Sequence, residues 1–196
     1  MSGLLILTLS GCIRIFPDQL PQQKVLLLNP GPIHIDNHAP VDWQLAVLRP
    51  TANAFLDKDL IGVQDASFTA NYVKGAMWPN ELPEMAQNLL LDAFVSTKKF
   101  RGIGSSTAAL IPQYVLATDI DHFGLLVGED ATEAPIITVS FHVQLLDYNT
   151  RRVVGKEQFQ ANRRAHSAEV ASVITTFNEV LSELFHALTS WGSVLK

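Results

Sequence analysis

The stretch Ile136–Ala161, IITVSFHVQLLDYNTRRVVGKEQFQA, decides the fold of this chain. In its first half apolar and polar residues alternate strictly, which predicts a strand with one face on the core and one face in water. Residues 147–150 carry turn-forming side chains, so the second half returns as an antiparallel partner. The preceding run, residues 113–127, is expected to pair on the other side. The inward residues are Ile137, Val139, Phe141, Val143 and Leu145; the outward ones are Thr138, Ser140, His142 and Gln144.

Two further segments have the three-four apolar spacing of helices packed on one side. The first is predicted to be capped by Asn80 and to carry Lys98 and Lys99 in its last turn, where positive charge complements the helix dipole. The second is predicted to be capped by Ser167 and to run through Trp191. Strands, helix, strands, helix is the order of an α+β domain, a largely antiparallel sheet with two amphipathic helices on one face.

The first half of the chain contains three more strand-like segments. Residues 24–32, KVLLLNPGP, predict a short buried strand that stops at the proline–glycine–proline run. Residues 43–50 predict a second strand. Residues 59–64 and 67–78 predict a hairpin with its turn near Asp65.

Composition excludes several classes of protein. The chain has 196 residues, of which 47% are hydrophobic and 17% are charged, so it can form one domain with a real core. A net charge of −5 argues against a nucleic-acid partner. A single cysteine excludes a disulfide framework and multi-cysteine zinc sites. Apolar runs are shorter than the 18 or so residues that a spanning helix needs.

That cysteine lies near the end of a short apolar run, residues 3–13, and closes the motif Leu9-Ser10-Gly11-Cys12. The motif resembles a bacterial lipobox, in which a signal peptidase requires small residues before the cut and the thiol takes up diacylglycerol. A core strand with a buried thiol, or a reactive thiol, are the alternatives. The lipobox interpretation divides the chain into a signal peptide (1–11), a lipidated N terminus and tether (12–23) and one α+β domain (24–196).

Motifs of catalysis and cofactor binding are largely missing from the sequence. It has no G-x-S-x-G elbow, P-loop or G-x-G-x-x-G. The segment RGIGSS, residues 101–106, indicates a turn after the first helix rather than a phosphate cradle. His34, Asp36 and His38 are close in sequence, but the surrounding prolines disfavour the helix that would bring them together on a metal.

A histidine dyad is not expected either. Strand alternation places His122 on the opposite face from Asp119 and Asp121. The sequence therefore predicts no catalytic residues, no cofactor and no metal.

Positive charge is concentrated in the hairpin. Residues 151–164 carry a net charge of +4, which leaves −9 on the remainder of the chain. Such a hairpin could contact anionic headgroups or an acidic partner through Arg151, Arg152 and Lys156. The alternative is a solvated strand edge whose charges discourage strand addition.

Taken together, these segments resemble the ABC-type transport auxiliary lipoprotein family. The resemblance rests on the lipobox, the tether, the early VLLLNPGP segment, the stretch WPNELPEMAQNLLLDAFVSTKKF, the basic hairpin and the terminal helix, and it spans about residues 4–191. Two features depart from the family: Arg151 stands where glycine is common, and the N terminus carries no positive residue, which an upstream start would supply.

The resemblance implies a non-enzymatic component of an MCE-type envelope lipid transport system. It implies a lipid anchor in the inner leaflet of the outer membrane, facing the periplasm, because Ile13 rather than aspartate follows Cys12. The implied partners are an MCE-domain protein and ABC transporter components, with homo-oligomers expected. A lipid-anchored envelope assembly or scaffold protein of similar fold is the alternative, followed by a small hydrolase.

Overall fold

The computed structural model describes residues 23–35, 39–108, 110–130 and 133–194. These residues form a nine-stranded sheet and two helices in the order strands, helix, strands, helix, which confirms the predicted α+β class. In chain order the elements are β1 Lys24–Val25, β2 Val41–Val47, β3 Thr51–Ala52, β4 Leu60–Asp65, β5 Ala70–Met77, α1 Leu82–Ser96, β6 Phe100–Ser105, β7 Tyr114–Val127, β8 Ile136–Asp147, β9 Val153–Arg164 and α2 Val170–Val194.

The sheet is built around β7. Along one edge, β7 pairs with β8 over almost its whole length, and β8 pairs with β9, so the predicted antiparallel meander is confirmed. Along the other edge of β7, three shorter strands pair with it one after another, and each runs parallel to it. They are β2 at residues 114–116, β3 at 119–120 and β4 at 124–127. The sheet therefore divides into two branches, one formed by β2 and β6 and the other by β4, β5 and β1.

The alternation of β8 is confirmed on its inner face and only partly on its outer face. The five predicted inward residues are at most 1% exposed, which places this strand at the centre of the core. On the other face His142 and Gln144 are exposed as predicted, whereas Thr138 and Ser140 are buried. Gln158 on β9 reaches across and donates a hydrogen bond of 3.2 Å to Ser140 Oγ. Cross-strand neighbours therefore cover half of the face that alternation alone assigns to water.

Helix α1 begins as predicted near a proline but not at the predicted cap. Its N-cap residue is Glu81, which makes no side-chain cap, and a proline occupies the first turn. The Asn80 amide instead donates to Glu84 Oε1 at 3.1 Å. The apolar stripe faces the core as expected, formed by Leu82, Pro83, Met85, Ala86, Leu89, Leu90, Ala93 and Phe94.

The same helix ends earlier than predicted. Thr97 Oγ1 donates to the Phe94 carbonyl at 2.7 Å, and Lys98 adopts a left-handed conformation with φ 54°. A residue in this conformation terminates a helix. The two predicted last-turn lysines therefore lie beyond α1, and its last turn carries no basic residue.

Helix α2 packs on β8 and β9 and closes the core. It begins at Val170, three residues after the predicted cap; Ser167 Oγ accepts a hydrogen bond from the Glu169 backbone N–H at 3.3 Å, just before the helix. Phe177 is fully buried, with its ring 5.4 Å from that of Trp78 and 5.6 Å from that of Phe123. Burial of these large rings is the main stabilising term where α2 meets the sheet.

The β4–β5 hairpin is confirmed, with its turn at Asp65 as predicted. Asp65 Oδ1 accepts hydrogen bonds from the Ser67 hydroxyl at 2.6 Å and from the Ser67 and Thr69 backbone N–H groups, each at 2.9 Å. The Ser67 hydroxyl, followed by the Thr69 N–H, lowers the pKa of Asp65. This clamped turn holds Phe68 at φ 62° with 84% of its surface exposed.

Two segments differ from their predictions. The segment 24–32 forms only the two-residue β1, which is exposed beside β5 at the edge of the sheet. Residues 100–105 form the strand β6, paired with β2, where a turn is predicted. A Cβ at Gly104 would lie 2.6 Å from Ala108 Cβ, so this glycine permits close approach of the following loop rather than a turn.

A glycine pair joins β4 to β7. Gly62 and Gly124 are register partners in this parallel ladder. A Cβ at Gly124 would lie 2.5 Å from the Gly62 carbonyl oxygen. The absence of a side chain at Gly124 therefore lets this branch of the sheet approach β7 at normal strand spacing.

Candidate functional site

The predicted site residues fall into two groups. Leu9, Ser10, Gly11 and Cys12 lie outside the described residues, as do Asp36 and His38 of the histidine segment. The basic hairpin lies wholly within the described part of the chain.

The turn between β8 and β9 is held by hydrogen bonds to Asp147, and it is strained at one residue, Arg151. Asp147 Oδ1 accepts hydrogen bonds from the Thr150 N–H at 2.7 Å and the Thr150 hydroxyl at 3.0 Å, and these two bonds, the N–H first, lower the pKa of Asp147. Arg151 follows with φ 59°, a conformation that favours glycine. Its guanidinium carbon lies 5.0 Å from the centre of the Tyr148 ring, a cation–π contact.

The five basic residues of the hairpin do not act as one surface. Arg163 forms ion pairs with Glu179 at 3.1 Å and Glu183 at 3.0 Å, both on α2. Arg164 pairs with Glu133 at 3.2 Å. The two arginines nearest the C-terminal end of β9 are therefore neutralised, and they fasten β9 to its neighbours.

The other three basic residues form what we call the basic edge: Arg151, Arg152 and Lys156, together with Val153 and Val154. Within the described residues, Arg152 and Lys156 make no ion pair. The two valines are 48% and 40% exposed, so they add a small apolar surface beside the charges. Among the strands that the structure describes, β9 pairs with β8 alone, so its outer edge carries backbone groups without a strand partner in that part of the chain, alongside these side chains. The basic edge thus offers positive charge, apolar surface and a free strand edge in one place.

The face predicted for His122 is wrong. A register irregularity in the β7–β8 ladder between Ile120 and His122 breaks the alternation, so that Asp121 and His122 are both exposed on the same side. His122 Nδ1 lies 3.0 Å from Asp121 Oδ2. A bulge of this kind depends on the partner strand, and alternation within one strand gives no sign of it.

This pair does not form a nucleophile–base arrangement. The nearby hydroxyl of Ser140 is buried and donates to the same oxygen, Asp121 Oδ2, at 3.5 Å. A catalytic triad places the histidine between hydroxyl and carboxylate, whereas here the carboxylate stands between the other two. The arrangement stabilises the bulge and activates no hydroxyl.

Other kinds of site are not apparent in the described segments. No group of three or more His, Cys, Asp or Glu residues there could hold a metal ion. Neither of the helices in those segments combines the length and the apolarity needed for a membrane crossing.

A cavity of about 400 Å³, which the sequence did not indicate, lies between the β4–β5 branch and the start of α2. Trp78 forms part of its wall, and the indole N–H of this buried residue has no hydrogen-bond partner among the described residues. The lining comes from the strands β4, β5 and β7, the helix α2 and the loops beside them, so no local pattern in the sequence could have predicted it. An apolar tryptophan just before a helix cap is the only signal, and it is equally typical of a core residue.

Comparison with known proteins gives the family. The model of the ABC-type transport auxiliary lipoprotein component matches residues 27–188. No curated protein sequence matches the chain. A crystal structure of a protein from Xanthomonas campestris is 24% identical with a TM-score of 0.74, covering 89% of this chain and 93% of the other. A hypothetical protein from Chlamydia trachomatis has the same fold at 13% identity and a TM-score of 0.55, covering 78% of this chain and 96% of its own. Since the family model covers well over half of its length, this chain belongs to the ABC-type transport auxiliary lipoprotein family.

Proposed function

We propose that this protein is a lipid-anchored auxiliary component of an MCE-type envelope lipid transport system and that it acts by docking, not by catalysis. Family membership supports a role beside an ABC transporter. The lipobox supports attachment through Cys12, and Ile13 in the next position favours the outer membrane. The protein would then face the periplasm from the inner leaflet, with the tether setting its reach.

The basic edge is the observation that carries the docking role. Its cations are exposed, and Arg152 and Lys156 form no ion pair within the described residues, while Arg163 and Arg164 of the same strand are paired. An acidic patch on the MCE-domain partner would be attracted to such a surface, and the exposed valines would add apolar contact. The unpaired backbone of β9 could also receive a strand of the partner.

Charge reversal tests this surface directly. Arg151→Glu with Arg152→Glu should weaken co-purification of the MCE partner. The binding of the wild-type protein to that partner should weaken as the salt concentration rises, because exposed charges are screened over about 10 Å at 0.1 M. Lys58→Glu with Lys74→Glu makes the same change of charge at exposed positions elsewhere and is the matched control. Equal binding of the two double variants would contradict docking through the basic edge.

The anchor is tested separately. Metabolic labelling with an alkynyl fatty acid should mark the wild type, and Cys12→Ala should abolish the label and release the protein from the membrane with its fold intact. One acyl chain holds a protein only reversibly, so several chains are needed for stable attachment. Label that persists on Cys12→Ala, or fails to mark the wild type, would refute the lipid anchor.

A docking protein should have no indispensable reactive side chain. We expect alanine at His34, His38, Ser105, Asp121 or His122, one at a time, to leave the envelope barrier intact. The measurement is detergent sensitivity of a deletion strain that carries each variant. Loss of the barrier from one such change, with folding and partner binding unchanged, would overturn the non-catalytic role.

A further inference from the structure

The turn between β4 and β5 presents one large apolar side chain at its tip. This residue is Phe68, with 84% of its surface exposed and a φ of 62°. Glycine adopts this left-handed conformation without cost, whereas a bulky residue is strained in it. Backbone strain of this kind concentrates at functional sites. A phenylalanine that is both strained and exposed adds little to the core, so its ring is available to a surface outside the domain.

The turn holds its shape without the phenyl ring. Asp65 Oδ1 accepts the three hydrogen bonds from Ser67 and Thr69. Two backbone bonds close the turn: the Phe68 N–H donates to the Asp65 carbonyl at 3.0 Å, and the Asp65 N–H donates to the Thr69 carbonyl at 3.1 Å. Because the backbone of the turn is already ordered, a contact through the ring carries a small cost in conformational entropy.

The direction of β1 places this tip on the side from which the chain enters the domain. β1 runs parallel to β5, with Lys24 beside Ala76, so the chain comes to Lys24 from the end at which β5 begins, which is the end of the tip. Along β5, Ala70 and Ala76 are at most about 20 Å apart. The residues from Cys12 to Lys24 span up to about 40 Å. A lipid on Cys12 can therefore lie level with the tip.

The basic edge lies at the other end of the sheet. β7 has 14 residues, so its two ends are about 40 Å apart. Its last residue, Val127, is the register partner of Asp65 at the tip. Its first residue, Tyr114, is the register partner of Asp147, where the turn before Arg151 begins. A membrane at the tip would therefore leave the basic edge facing away from it, towards a protein partner.

The charge around the tip selects the kind of surface. Residues 64–70, QDASFTA, contain one carboxylate, that of Asp65, and no basic side chain. Glu129 is exposed on the adjoining loop, just beyond the end of β7. Anionic headgroups would be repelled by these carboxylates, whereas zwitterionic headgroups would not. An aromatic ring in this setting fits a neutral phospholipid surface.

We propose that Phe68 inserts into a zwitterionic phospholipid surface, in the leaflet that holds the acylated Cys12, and that this second contact orients the domain with its basic edge away from the membrane. The proposal rests on the lipid anchor of the proposed function. It goes beyond that anchor, because attachment through one residue leaves the orientation of the domain open. Three observations carry it: the strained and exposed ring, the direction of β1, and the absence of basic side chains from the turn.

The test uses the native acylated protein in vesicles of dioleoylphosphatidylcholine. Flotation of the vesicles first shows whether the protein is anchored. A nitroxide label on Phe68→Cys then reports the depth of the tip, because acylation blocks Cys12, the one cysteine of the chain. Asn149→Cys, in the exposed turn at the other end of the sheet, is the matched control. We expect collisions with a water-soluble nickel chelate to be about fivefold rarer at residue 68 than at residue 149, as burial at the headgroup boundary implies.

Phe68→Gly separates the membrane contact from a structural role. It removes the ring and relieves the strain, so the urea midpoint of unfolding should stay the same or rise. A fluorophore on Asn149→Cys, with acceptors on the lipid headgroups, reports how far the other end of the sheet stands from the bilayer. We expect Phe68→Gly to increase energy transfer, because the domain is then free to tilt. Lys98→Gly relieves a second left-handed residue, next to β6, and should leave the transfer unchanged.

The outcomes distinguish the anchor from the tip contact. Protein that does not float with the vesicles would refute the lipid anchor and the tip contact with it. Protein that floats, with residue 68 as accessible to the chelate as residue 149, would refute the tip contact alone. In that case, weaker co-purification of the MCE partner by Phe68→Gly would identify the tip as a protein-docking site instead. Equal energy transfer in Phe68→Gly and Lys98→Gly would refute the orienting role.

Discussion

Gly124→Ala is the change that most directly tests how the two branches of the sheet are joined. The added methyl carbon would lie 2.5 Å from the Gly62 carbonyl oxygen, whereas non-bonded carbon–oxygen contacts are rarely shorter than about 3.3 Å. The β4 and β7 backbones must therefore separate by most of an ångström where they are hydrogen-bonded. Overpacking of this kind lowers the free energy of unfolding by about 1–3 kcal/mol. Replacing glycine by alanine raises it by about 0.4–1 kcal/mol, because the unfolded chain has less conformational freedom. We expect the free energy of unfolding to fall by about 1–2 kcal/mol.

Urea unfolding followed by circular dichroism measures this change. For a chain of this length a loss of 1 kcal/mol lowers Tm by about 2–4 °C, so a thermal scan should show a fall of about 2–8 °C. Gly128→Ala is the matched control, because its added carbon comes closest to Glu133 Oε2, at 3.2 Å, on an exposed side chain that can shift together with its partner Arg164, and meets backbone only at 4.0 Å. That variant should stay within about 0.5 kcal/mol of the wild type. A Gly124→Ala protein as stable as the control would refute the close approach of β4 and β7.

Three further predictions concern packing, acid and backbone strain. Phe177→Ala should lower the free energy of unfolding in urea by about 3–5 kcal/mol and Leu184→Ala by about 2–5 kcal/mol, since both side chains are buried on α2. Thr175→Ala, on the exposed side of the same helix, should change it by less than about 0.5 kcal/mol. Small losses at both buried sites would show that α2 does not complete the core. The folded pKa of Asp65 lies below the ordinary 3.8, so its contribution to stability is present above that pH and is lost as pH falls through the folded pKa; carboxyl NMR titration should show the lowered pKa, and an ordinary value would disprove the clamped turn. Because Arg151 has a positive φ, Arg151→Gly should be more stable than Arg151→Val by about 1–2 kcal/mol in the same unfolding assay, and equal stabilities would count against the strain.

The sequence predicted the long antiparallel part of the fold because its signals are local. Alternation in β8 and the turn at residues 147–150 each lie within a few residues, and the meander follows from them. The parallel attachment of β2, β3 and β4 to β7 was not predicted, since parallel pairing joins segments that are distant in the chain. The strand β6 was missed for a related reason. Gly104 leaves room for Ala108 and Leu110, which pack against the strand, but a pair of glycines seen in the sequence alone indicates a turn.

The candidate site was predictable in composition and not in arrangement. Counting charges along the sequence found the positive charge of the hairpin. The carboxylates that neutralise Arg163, however, lie near the middle of α2, and a charge count does not show where that helix packs. The bulge that brings Asp121 and His122 together depends on how β8 meets β7. The orphan donor of Trp78 is visible only once every neighbour is in place.

The branched attachment of the sheet has a consequence for partial unfolding. β7, β8 and β9 form one continuous unit with long ladders, whereas the branch of β4, β5 and β1 is held to β7 by a ladder of four residue pairs. Elements with fewer cross-links open at lower free energy than the global transition. We therefore expect amide hydrogens of β4 and β5 to exchange faster than those of β8, and to do so together. That branch forms much of the surface beneath the start of α2. The same opening event would therefore admit a molecule to the cavity between the branch and α2 without disturbing the rest of the domain.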